Sequence, residues 1–60
     1  MVDLKLERLA RNMSQNDLAH ALKVSQSTIC LIENGKRGYS KRMAIKLSKL
    51  FGIEITEFFE

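Results

Sequence analysis

The sequence predicts an all-α fold, a compact domain of five short helices in which two meet at a sharp corner. Three observations carry this. Apolar residues recur at three- and four-residue spacing along almost the whole chain, and no stretch alternates as a half-buried strand would. Ser14, Ser25 and Ser40 each stand just before such a run, where a hydroxyl accepts from the first free N–H groups of a helix. Asn12, Gly35 and Gly52 stand where runs end, at positions suited to a left-handed backbone. The chain contains no proline and no low-complexity segment.

Taken in order, the spacing predicts a first helix over residues 3–11, closed by Asn12. Ser14 caps a second helix, 15–22, with Asp17 in its first turn where an acid suits the helix dipole. Ser25 caps a third, from Gln26 to Glu33 or Asn34, stopped by Gly35. Ser40 caps a fourth, 41–51, stopped by Gly52, and a short fifth follows over 54–59. Only Lys23, Val24 and Ser25 separate the second and third helices, which forces the corner of a helix-turn-helix. The expected core takes Leu18, Ala19, Leu22, Val24, Ile29 and Ile32 from that pair. Leu6, Leu9 and Met13 join from the first helix, Ala44, Leu47 and Phe51 from the fourth, and Ile53, Ile55 and Phe58 from the last.

Sixty residues read as one domain, 1–60, that buries roughly 60% of the surface its unfolded chain exposes. One cysteine excludes an internal disulfide, and with a single histidine it leaves no ordinary metal cluster. No cofactor, metal or small-molecule ligand is expected. No apolar run approaches a membrane span, and the N-terminus lacks a signal-peptide core, so a cytoplasmic location is expected. An enzyme is not expected either: Asp17 and His20 fall within reach on one helix, but no nucleophile accompanies them.

Charge is unevenly placed. Up to Glu33, four cations balance four acids. Residues 34–49 then hold Lys36, Arg37, Lys41, Arg42, Lys46 and Lys49 with no acid, and the rest holds only Glu54, Glu57 and Glu60. Such a basic block suits a polyanion-binding edge as well as a solvated surface. The third helix adds a second oddity. Ser27, Cys30, Leu31 and Asn34 share a stripe, while Ile29 and Ile32 point the other way. The first stripe needs a partner that is neither core nor plain water.

The run SQNDLAHALKVSQSTICLIENGKR resembles the helix-turn-helix of the Cro and lambda-repressor type, the XRE family. The matching positions are Ser14, Gln15, Leu18, Ala19, Val24, Ser25, Ile29, Ile32, Glu33 and Gly35. LKLERLARNMS upstream and SKRMAIKLSKLFGIEITEFF downstream extend the likeness over nearly the whole chain. Lys23 and Asn12 depart from the pattern, standing where glycines are common.

The resemblance implies a transcriptional regulator, expected to be a repressor of phage or mobile-element type or a domain of a longer one. Its third helix would lie in the major groove of double-stranded DNA. There Gln26 and Ser27 would read bases and Leu31 would meet a thymine methyl. Gln15, Asn34, Lys36, Arg37, Lys41 and Arg42 would hold phosphates. Lys46 and Lys49 are expected on the solvent face. The resemblance also implies an ion pair between Arg8 and Glu33. Ile45, Leu50 and Phe59, left without core positions, would form the interface of a weak homodimer on a pseudo-palindromic operator. The alternative on the same scaffold is a protein-binding module, an antitoxin or anti-repressor.

Overall fold

The computed structural model describes residues 2–59. Four α-helices follow in order: α1 (Leu4–Ala10), α2 (Gln15–Leu22), α3 (Gln26–Glu33) and α4 (Lys41–Phe51). The expected fifth helix is instead a single 3-10 turn, Ile55–Phe58. Glu54 leads it without any side-chain cap, and four residues are too few to sustain α-helical nucleation.

The helix starts follow from hydroxyl and carboxylate caps. Asp3 accepts from Leu6 N–H at 3.2 Å, Ser14 from Asp17 at 2.9 Å, Ser25 from Thr28 at 3.3 Å and Ser40 from Met43 at 3.1 Å. Asp17 returns the bond from the N–H of Ser14 at 2.9 Å, completing a capping box. That bond, with the hydroxyl of Ser14, holds the Asp17 carboxyl below the usual range.

The ends follow from left-handed residues. Lys23 takes φ 58°, and the N–H groups of Lys23 and Val24 turn back to the carbonyls of His20 and Ala19. This doubled closure ends α2 and makes the corner in three residues. Asn12 closes α1 at φ 56° in the same way, and Gly35 closes α3 at φ 72°.

Leu18, Ile29, Ala44 and Leu47 have no exposed surface, and Leu4, Ala19, Leu22 and Phe58 nearly none. Val24, Met13, Ile53 and Ile55 pack half-buried against this core. Leu6 and Leu9 do not belong to it: they are 64% and 50% exposed. The inward stripe of α1 is Leu4 and Arg8, four positions apart, because burying Arg8 satisfies two hydrogen-bonding partners that no leucine could serve. Met43, also buried, completes the inner face of α4.

Two polar ties lock the periphery. Lys46 is half-buried rather than solvated, its Nζ donating at 2.9 Å to the carbonyl of Leu22, which the end of α2 leaves without a helical partner. Tyr39 donates its hydroxyl to the carbonyl of Val2 at 2.8 Å and sets its ring edge-on to Phe58, centroids 5.0 Å apart. Among the described residues, no helix is long and apolar enough to cross a membrane.

Candidate nucleic-acid interface

The inward side of α3 is closed by burial. Ile29 and Ile32 enter the core, and Glu33 meets Arg8 beneath the surface, with side-chain exposures of 3% and 8%. Arg8 Nε donates to Glu33 Oε2 at 2.7 Å and Nη2 to Oε1 at 3.1 Å, a two-pronged match of fork to carboxylate. A third bond, Nη1 to the carbonyl of Met13 at 2.8 Å, ties the pair to the chain leaving α1. The bonds from Arg8 hold the Glu33 carboxyl below its ordinary value against the opposing effect of burial, and Gln15 adds to the lowering.

From this buried pair a line of side chains runs to the surface. Gln15 Nε2 donates to Glu33 Oε1 at 3.1 Å, and Gln26 Nε2 reaches Gln15 Oε1 at 3.4 Å. Gln26, at the first position of α3, is therefore oriented from beneath. One amide N–H and the amide oxygen of Gln26 remain uncommitted. Ser27 is exposed and Leu31 is 40% exposed. Asn34 Nδ2 donates to Cys30 Sγ at 3.3 Å, and that cysteine is half-buried.

The basic segment begins where α3 stops. The N–H groups of Lys36 and Arg37 both turn back to the carbonyl of Leu31, at 2.9 and 3.2 Å, fixing the loop directly beside the helix end. Both side chains are exposed, as are those of Lys41 and Arg42. Arg37, Arg42 and Lys46 line one cleft of about 180 Å³ between α3 and α4, together with Thr28 and Ser40. Lys36 and Lys41 lie outside it. Thr28 was not among the sequence candidates; its position three residues after the Ser25 cap is the only signal of it in the sequence.

The first turn of α4 holds no acid and two cations. Cations there oppose the helix dipole, at about 0.3–1 kcal/mol each when exposed. Local stability does not explain them, whereas a polyanion lying against this end of the helix does.

Gln15 holds a double position: its side chain is engaged with Glu33 and Gln26, and it opens α2, whose first N–H groups face outward from the helix end. Ile45, Leu50 and Phe59 are 38%, 45% and 54% exposed. Ile45 and Leu50 do not share a stripe of α4, since five positions turn the helix by about 140°.

Comparison with known proteins agrees with this arrangement. The family model described as helix-turn-helix matches residues 4–58. An uncharacterised HTH-type transcriptional regulator of Methanocaldococcus jannaschii is 45% identical over 56 residues, covering 93% of this chain and 85% of that protein. Another, from Archaeoglobus fulgidus, is 34% identical over 56 residues, covering 93% and 79%. No solved structure matches at comparable significance. With α2 and α3 meeting at their three-residue corner inside the matched span, the chain belongs to the helix-turn-helix family of DNA-binding transcriptional regulators, XRE type.

Proposed function

We propose that the chain is a sequence-specific transcriptional repressor that lays α3 in the major groove of double-stranded DNA. The observation that carries this is the state of Gln26. Its amide is steadied by Gln15 and retains one N–H and one oxygen, the pair needed to donate to adenine N7 and accept from adenine N6. Ser27 beside it serves either kind of base atom. Leu31 supplies apolar contact for a thymine methyl, which gives its exposure a purpose.

Around this reading edge, Asn34, Lys36, Arg37, Lys41 and Arg42 take phosphates, with Gln15 presenting the start of α2 to another. A protein seated in the groove excludes others from the same site, which is repression at its simplest. The likeness to Cro and lambda repressor supports the phage or mobile-element type.

One such module offers DNA only about 600–1,000 Å² of surface. Two copies on a two-fold axis would read a pseudo-palindrome with half-sites about one helical turn apart. A weak homodimer assembled on its operator therefore completes the proposal, with Ile45, Leu50 and Phe59 as its contact residues.

Selection of bound sequences from a random duplex library, followed by titration on the winning site, tests this. A recovered two-fold motif and a second protomer binding the complete site are expected. A blank gel shift at micromolar protein and low salt would point to the protein-binding module instead.

A further inference from the structure

We propose that the cleft between α3 and α4 seats a single DNA phosphate, and that Lys46 and Thr28 grip it together with Arg37 and Arg42. Lys46 and Thr28 are the new contacts. The inference rests on the reading of α3 in the major groove and gives the cleft its place on the duplex.

Arg37 enters the cleft from the loop after α3, and Arg42 and Lys46 enter it from α4, four positions apart on one stripe. Its volume of about 180 Å³ has room for a phosphate group. No acid lines it. Among the described residues the ion pairs are Arg8 with Glu33 and Arg11 with Glu7, so nothing in the molecule balances these three cations. The positive end of the α4 dipole lies at the same place and favours an anion there.

Free donors face the cleft as well as charge. Lys46 spends one N–H on the carbonyl of Leu22 and keeps two, on an ammonium already held in place. Ser40 Oγ accepts from the N–H of Met43, which leaves its own O–H to give. Thr28 Oγ1 lies 3.0 Å from Ser25 Oγ, and with Ser25 donating across that contact the O–H of Thr28 is free.

The position on α3 selects DNA as the source of the phosphate. Gln26 and Thr28 lie about 200° apart around the helix, with outward Ser27 and Leu31 between them. A helix in the major groove runs between two sugar–phosphate ridges. The Gln26 side meets the ridge that passes Gln15 and the start of α2. The Thr28 side meets the other ridge, and the cleft opens there. Each flank of the reading face thus carries its own backbone contact.

The test is binding of short labelled duplexes of random sequence, followed by anisotropy over a range of sodium chloride, which needs no knowledge of the operator. Lys46→Gln and Arg42→Gln are each expected to weaken binding about fivefold at about 0.1 M salt. The double variant should lose about tenfold, short of the product, because both side chains serve one phosphate, and its salt slope should fall by about one unit. Lys46→Arg should bind within about twofold of the wild type, as should Lys49→Gln, which removes the same charge outside the cleft. Thr28→Val should lose about threefold with the slope unchanged, since no charge is removed. Losses that simply multiply, or a Lys49→Gln loss equal to that of Lys46→Gln, overturn the shared seat while leaving DNA binding intact. So does a Lys46→Gln variant that melts earlier yet binds as the wild type, which would confine Lys46 to holding Leu22. Inorganic phosphate that displaces the duplex better than chloride at equal ionic strength, and only with Lys46 present, reassigns the cleft to a free phosphorylated ligand and overturns the backbone contact. A wild type that binds no duplex at low salt overturns both this seat and the reading beneath it.

Discussion

Ile29 and Gln26 occupy the same helix three positions apart, and they answer to different demands. Ile29 has no exposed surface and helps hold α3 against the core. Gln26 is exposed and held only by a long amide contact to Gln15. The inner face of α3 is therefore specified by packing, and a change there is felt as lost stability. The outer face keeps Leu31 in water and lies next to cations set at the wrong end of α4, so packing alone does not select it. The two faces are joined at one place, where Glu33 passes the position fixed by Arg8 to Gln15 and on to Gln26.

The largest effect should come from the inner face. Ile29→Ala is expected to cost about 2–5 kcal/mol, much of the stability such a small domain has. Thermal unfolding would register it as a drop of roughly 10 °C or more, or as no folded transition at all. Whatever protein remains folded should keep the wild-type sequence preference. A changed preference would show that the faces are not separable.

Glu33→Ala comes next, at about 3 kcal/mol, because Arg8 is left charged and buried with only the Met13 carbonyl for a partner. The pH dependence has a definite sign. The folded state holds the Glu33 carboxyl below its ordinary value, so the pair stabilises fully above about pH 4.5 and less as pH falls through the lowered value. Unfolding followed from pH 6 to pH 2 should lose part of its acid sensitivity in Glu33→Gln. An unchanged slope would show that Glu33 titrates alike folded and unfolded.

On the outer face, Gln26→Ala should weaken specific binding by about 1–3 kcal/mol and leave both melting temperature and non-specific affinity nearly as they were. A uniform loss on all duplexes would remove its reading role. The smallest effect concerns the corner itself. Lys23→Gly relieves a left-handed lysine and should raise stability by about 1 kcal/mol or less, seen as a small upward shift of the urea midpoint.

Much of the fold was legible because it is written in local chemistry. Ser14, Ser25 and Ser40 mark helix starts that need no knowledge of the tertiary structure, and α2 and α4 begin and end where their caps require. The left-handed residues at 12, 23 and 35 were equally readable, even with lysine and asparagine in place of glycine. What escaped was the rotation of α1. Counting apolar residues puts Leu6 and Leu9 inward, whereas the decisive fact is a bond from Arg8 to a carboxylate 25 positions away. The half-burial of Lys46 failed to show for a related reason, since the carbonyl it satisfies belongs to another helix. In the candidate site, Gln15 and Gln26 could each be named from the sequence, but not the bond between them, which depends on how closely two helices approach at the corner.

Tyr39 gives the molecule an optical signal of its own. It is the sole tyrosine, and there is no tryptophan. Its hydroxyl holds the second residue of the chain, and its ring rests on Phe58 near the other end. Burial pushes that hydroxyl from 10.0 up to about 12, so the neutral phenol belongs to the closed arrangement. Its contribution to stability is intact below pH 10 and drains away as pH rises toward 12. Absorbance of the ionised ring, appearing early in an alkaline titration, thus counts molecules whose two ends have come apart, without any label attached.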